Sequence, residues 1–116
     1  MKENIIKTKS FAFSIKIVNL YKFLSLEKKE YVMSKQLLRS GTAIGALVRE
    51  SEHAESKADF VHKLSIALKE ANETEYWLDL LFETSFLDAS TFVRFQQDIK
   101  ELLKILVSII KTTKQI

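Results

Sequence analysis

The chain contains no cysteine and no proline, and its only glycines are Gly41 and Gly45. Without cysteine there is no disulfide, no thiolate metal site and no cysteine nucleophile, which removes several enzyme classes together. Without proline, and with so little glycine, the residues that punctuate hairpins and tight turns are missing, and the composition suits helix. Long hydrophobic runs are missing too: none approaches the roughly 18 residues a membrane span needs, and no basic-then-apolar leader opens the sequence. The expectation is a soluble, cytoplasmic protein with no membrane partner. What is present is 116 residues, 47% hydrophobic and 28% charged. That is enough for one domain with one core and no covalent staple.

The apolar residues recur at helical spacing. Phe13, Ile17, Leu20, Tyr21 and Leu24 form a core-facing stripe on a first helix, with Thr8 or Ser10 as its expected N-cap. Phe11, Ile15 and Val18 form a second stripe, more than about 90° round the axis from the first, and it calls for another surface to cover it. Tyr31, Leu37, Leu38, Ile44, Leu47 and Val48 mark a second helix. Gly41 and Gly45 sit one turn apart inside it, each unfavourable by up to about 1 kcal/mol relative to alanine. Close approach of a neighbouring helix compensates for them, either within the chain or at a subunit contact. Ser56 followed by Asp59 resembles a capping box with a shortened acid and starts a third helix, which runs through Phe60, Leu64, Ala67, Leu68, Ala71, Trp77, Leu78, Leu81 and Phe82. Ser90, or Ser85, precedes a fourth helix with Phe92, Phe95, Ile99, Leu102, Leu103, Leu106 and Ile110 on one face. Short loops return the chain alongside its predecessor, so the sequence predicts one all-α domain over 1–116, an antiparallel up-down-up-down four-helix bundle with helices at about 9–26, 29–51, 57–84 and 90–114.

Charge is segregated along the chain. Residues 1–35 hold eight lysines and three acids, residues 36–88 hold five bases and ten acids, and residues 89–116 hold five bases and two acids, for a net charge of +3. If the first and last helices are neighbours, Lys7, Lys9, Lys16, Lys22, Lys100, Lys104, Lys111 and Lys114 can form one positive face suited to the phosphates of RNA or DNA. Ordinary solvated lysines, or charges that serve subunit association, account for the same pattern.

Other constellations carry less chemistry. Glu50 with His53, and Asp59 with His62, have the acid-x-x-His spacing of di-metal bundles, but they lie near a loop and the first and last helices add no acid to their apolar stripes. The histidines with Glu52, Glu55 and Asp59 lack a nucleophile, a glycine-rich phosphate loop and an oxyanion hole. The reading is therefore a non-catalytic protein without cofactor or metal. Glu70, Glu73 and Glu75 are placed to pair with Arg39 or Arg49 and fix helix register, and Tyr76 and Trp77 to anchor packing or an interface.

Gln36-Leu37-Leu38-Arg39-Ser40-Gly41-Thr42-Ala43-Ile44-Gly45, continuing through Arg49-Glu50 and Ala54-Glu55-Ser56-Lys57-Ala58-Asp59-Phe60 to Lys63–Thr74 and Tyr76-Trp77-Leu78, resembles the signature of the four-helix-bundle family of 23S rRNA intervening-sequence proteins. The resemblance implies ring-like homopentamers. Through a related branch, the accessory proteins of diversity-generating retroelements, it also implies contact with nucleic acid and with a nucleic-acid-processing protein such as a reverse transcriptase. It implies no catalytic residues. The second stripe and the two glycines, Phe11, Ile15, Val18, Gly41 and Gly45, are then the candidate oligomer interface. This chain has Ala43 and Leu47 where family members commonly have serine and asparagine.

Overall fold

A helix begins where a side-chain oxygen can receive the amides that its first turn leaves unpaired, and this rule sets the boundaries here. The computed structural model of the protein describes residues 4–116. It consists of α1 (Ile5–Leu26), α2 (Met33–Ser51), α3 (Lys57–Glu83) and α4 (Ala89–Lys114), with no strand among the described residues. No helix of the described residues is long and apolar enough to cross a membrane.

Three of the four starts differ from the sequence expectation. The cap of α1 is Asn4, whose Oδ1 accepts from the Lys7 amide at 3.2 Å. Thr8 and Ser10 lie inside the helix and donate their hydroxyls back to the carbonyls of Asn4 and Lys7. The core stripe extends one turn earlier than expected, to buried Ile6 and Ser10. α2 starts at Met33 rather than near residue 29, because Lys29 turns the chain through the left-handed region (φ 57°) and Tyr31 and Val32 stay exposed. Its first turn is capped by the carboxylate of Glu30, which accepts from the amides of Val32 (3.1 Å), Met33 (3.0 Å) and Ser34 (2.7 Å). Ser34 returns its hydroxyl to the Glu30 carbonyl at 2.7 Å. Burial acts to raise the Glu30 pKa, but these amide bonds outweigh it and hold the carboxyl below its ordinary range.

α3 begins as the sequence indicates: Ser56 Oγ accepts from the Asp59 amide at 3.0 Å, while Asp59 reaches back one residue further than a standard box, to the Glu55 amide. α4 is capped by Asp88, at 2.7 Å from the Thr91 amide, and not by Ser90 or Ser85. Ser85 instead closes α3. At φ 71° it donates its amide to the Phe82 carbonyl, and the Phe86 amide reaches Leu81, the paired bonds of a Schellman turn.

α2 packs against α1 and α3, and α4 packs against α3 and α1. All four helices contribute to one core, with Ile17, Leu24, Leu37, Ile44, Leu64, Leu81, Ile99 and Leu106 essentially inaccessible to solvent. Each such side chain contributes about 1.5–3 kcal/mol by leaving water. The glycines of α2 let α1 come close. A Cβ on Gly41 would stand 2.9 Å from Ile17 Cγ1, and one on Gly45 would stand 3.2 Å from Ser14 Oγ and 3.3 Å from the Ser10 carbonyl oxygen. Of the two compensations left open by the sequence, packing within the chain is the one found. Gly41 is buried under Ile17, and Gly45 is half-buried against α1. Leu47, half-buried, packs against the core.

The α2–α3 seam is polar at its centre. Buried Ser40 and Thr74 share a hydrogen bond of 2.9 Å, and Arg39 pairs with Glu70 (3.2 Å) and Glu73 (2.7 Å). Further along, Glu50 meets Lys63, so ion pairs set this register at two heights.

Candidate polyanion-binding face

The first and last helices are neighbours, yet the eight candidate lysines do not make one continuous face. Lys9 and Lys16 reach from α1 across the seam to Glu101 (3.1 Å) and Asp98 (2.9 Å) of α4. Lys7 pairs with Glu52 at the end of α2, and Lys100 with Glu75 of α3. Half of the set is therefore matched by carboxylates of the same chain. Both acids of the C-terminal segment are used in this way. The signal was present in their spacing: Asp98 and Glu101 are three residues apart, which places them on one flank of α4, the flank that α1 covers.

Lys22, Lys104, Lys111 and Lys114 are exposed and have no ion pair among the described residues. Lys104 and Lys111 follow Lys100 by one and three turns, so they continue the flank of α4 that faces α3 rather than α1. Lys114 completes the row and lines a shallow recess with Lys57, Ala58 and Val61 of α3. Sequence reasoning missed Lys57, whose proximity depends on how α3 and α4 are paired. Lys22 stands apart on the outer face of α1, within the sector of Phe11 and Ile15. Three of the four candidate lysines without an ion pair thus lie in one row on the C-terminal half of α4, next to Lys57 of α3, while Lys28, Lys29, Lys35, Arg49, Lys69 and Arg94, also without an ion pair among the described residues, are spread over the rest of the surface.

The second stripe of α1 is left uncovered by its own chain. Phe11 is 51% and Ile15 50% exposed, with Val18 half-buried between them. The Arg49 guanidinium lies 4.9 Å over the Phe11 ring and covers one side of it. Leu26, on the same sector, and Phe23 add further exposed apolar surface.

The acidic middle of the chain gathers on α3. Glu73 accepts from Trp77 Nε1 (2.9 Å) as well as from Arg39, and these bonds hold its carboxyl below the ordinary range. Asp79 is pushed the other way, first by burial and then by the neighbouring charges of Glu75 and Glu83, against the opposing pull of Lys100. Tyr76 is exposed and packs edge-on to Trp77. His53 and His62 are both exposed, and no group of three or more His, Cys, Asp or Glu residues among the described residues is arranged to hold a metal ion.

Relatives give this arrangement a context. No curated protein matches the chain. A crystal structure of a protein of unknown function from the S23 ribosomal protein family of Bacteroides thetaiotaomicron is similar over 91% of this chain and 98% of its own, with 58% identity and a TM-score of 0.91. The model of the family described as 23S rRNA-intervening sequence protein matches residues 2–108. This four-helix chain, with its motif running from Gln36 to Leu78, belongs to the 23S rRNA-intervening sequence protein family.

Proposed function

We propose that the protein is a non-catalytic, cytoplasmic binding protein: an antiparallel bundle assembled as a homopentamer that contacts RNA or DNA phosphates without reading bases. The observation that carries this reading is the row of lysines with no intrachain carboxylate, Lys104, Lys111 and Lys114 on α4 with Lys57 beside them. An ammonium already neutralised by an acid releases few counterions on meeting a phosphate, so the paired Lys7, Lys9, Lys16 and Lys100 contribute less than the sequence suggested. The family's description, which names a sequence inserted in 23S rRNA, favours RNA as the first ligand to try.

The test is binding of a labelled structured RNA followed by anisotropy over a salt series. Four phosphate contacts per protomer give a log–log slope of about −3 to −4. Lys104→Gln/Lys111→Gln/Lys114→Gln should flatten that slope by about 2 to 3 units, while Lys9→Gln/Lys16→Gln should leave it nearly unchanged. Absence of binding at low salt, or binding indifferent to salt, removes the reading.

A second reading, a structural module that recruits another protein such as a reverse transcriptase, is favoured by the exposed Phe11–Ile15–Val18 stripe. Retention of a purified polymerase after nuclease treatment separates it from the first. The same stripe is the surface on which the proposed homopentamer assembles.

A further inference from the structure

Among the described residues four aromatic side chains are exposed: Phe11, Phe23, Tyr31 and Tyr76. Two of them have surroundings that fit packing. The Arg49 guanidinium covers one side of Phe11, and Tyr76 packs edge-on to Trp77 beside the acids of α3, with Glu73 and Glu75 close by in sequence. Phe23 and Tyr31 differ. They flank the turn that carries the chain from α1 to α2, and the charge around that turn is positive.

Tyr31 stands on a loop with little freedom. Lys29 turns the chain at φ 57°, the Glu30 amide donates to the Leu24 carbonyl at 2.9 Å, and the Glu30 carboxylate is held by the three amides of Val32, Met33 and Ser34. On this backbone Tyr31 is 54% and Val32 72% exposed, so neither folds onto the core. A ring presented in this way loses little conformational entropy when a ligand settles on it.

Lys22, Lys28, Lys29 and Lys35 are exposed and have no ion pair among the described residues. Lys28 Nζ lies 5.7 Å over the Phe23 ring. Glu27 is the one exposed acid of this stretch, because Glu30 is buried as the cap of α2. Across the recess beside Phe23 stand Glu83 and Asp88, and Asp88 is engaged with the Thr91 amide. Free ammoniums set around an exposed aromatic ring are the elements of a site for unpaired nucleotides. The ring takes any base on its face, and the ammoniums meet the phosphates on either side. A duplex keeps its bases stacked on one another and offers the ring none.

We infer that the α1–α2 loop is a second nucleic-acid contact, selective for single strands, with Tyr31 as the stacking platform and Lys28, Lys29 and Lys35 on the phosphates. The inference rests on the proposed function for its class of ligand but uses separate residues. The lysine row meets α3 at Lys57, whereas Phe23 borders Phe82 at the other end of that helix, about 38 Å away at 1.5 Å per residue.

The probes are a fluorescein-labelled oligouridine of about ten nucleotides and a labelled RNA duplex of similar length, followed by anisotropy at low salt. Tyr31→Ala should weaken oligouridine binding roughly five- to hundredfold, the range of one base–ring stack, while Tyr31→Phe keeps it. Duplex binding should be the same for wild type and Tyr31→Ala. Lys28→Gln/Lys29→Gln should flatten the salt slope for oligouridine by about 1.4 units. The effect of Tyr31→Ala should persist in the Lys104→Gln/Lys111→Gln/Lys114→Gln background. No oligouridine binding, binding unmoved by Tyr31→Ala, or Tyr31→Phe as weak as Tyr31→Ala overturns the inference; salt-sensitive duplex binding would then still support the lysine row. A Tyr31-dependent oligouridine signal without duplex binding would do the reverse, keeping this site and removing the row. A fall in the light-scattering mass of Tyr31→Ala also overturns the inference, since it would assign the ring to a contact between copies of the chain.

Discussion

Replacing Gly41 with alanine offers the sharpest examination of the packing described above. The added Cβ would lie 2.9 Å from Ile17 Cγ1 and 3.0 Å from both Cδ1 and Cγ2. Three atoms of one side chain crowd the same point, and Ile17 is fully buried in the core, where a shift must be passed on to its neighbours. Overpacking of this kind destabilises by about 1–3 kcal/mol. Alanine also improves helix propensity by up to about 1 kcal/mol, which offsets part of the loss. The net expectation is a loss of about 1–2 kcal/mol, hence a urea midpoint lower by roughly 0.5–1 M at an ordinary slope. In the Ile17→Ala background the sign of the effect should reverse. There the crowding atoms are gone, only the propensity gain remains, and Gly41→Ala should become stabilising by about 0.5–1 kcal/mol. A double-mutant cycle followed by circular dichroism reads both arms. If Gly41→Ala is neutral in the wild-type chain, or equally harmful in both backgrounds, the glycine is not there to admit Ile17.

Three further outcomes follow from other parts of the molecule. Ser85 adopts φ 71° at the close of α3, so Ser85→Gly should raise stability by about 0.5–1 kcal/mol, and a lowered melting temperature would contradict the strain assigned to it. The Glu30 carboxyl has a lower pKa folded than unfolded, so its contribution is complete above the unfolded value near 4.3 and fades as pH falls through the folded one; the stability gap between wild type and Glu30→Gln should shrink from about pH 5 downward, and a gap constant down to pH 2 would refute the cap. Ile15→Glu should yield monomers of unchanged helical content in light scattering, whereas an unaltered mass would remove the Phe11–Ile15–Val18 stripe from the proposed subunit contact.

The fold was largely legible because its strongest signals are periodic. The stripes led by Phe13, Leu37, Leu64 and Ile99 each describe a helix face that the core does bury. Helix starts were less legible, since several residues compete for each cap and geometry decides among them. Asn4 prevailed over Thr8 because Ile6 belongs to the core, and Asp88 over Ser90 because Ser85 had already turned the chain. Glu30 was not recognised at all, because glutamate is rarely a cap and acts here only through a loop that folds its carboxylate back onto three amides. The candidate face was half legible. Sequence shows which segments are basic, but an ion pair between residues eighty or ninety positions apart, such as Lys16 with Asp98, depends on the relative rotation of two helices. Such rotation is set by side-chain interlocking across the seam, which no local pattern encodes.

The chain's one tryptophan sits where it can report on a single interface. Trp77 gives its indole N–H to Glu73, and Glu73 is held in turn by Arg39 across the α2–α3 seam. Its emission therefore senses whether α2 and α3 stay joined, and comparing it with circular dichroism during denaturation would separate loss of that seam from loss of helix without any added label.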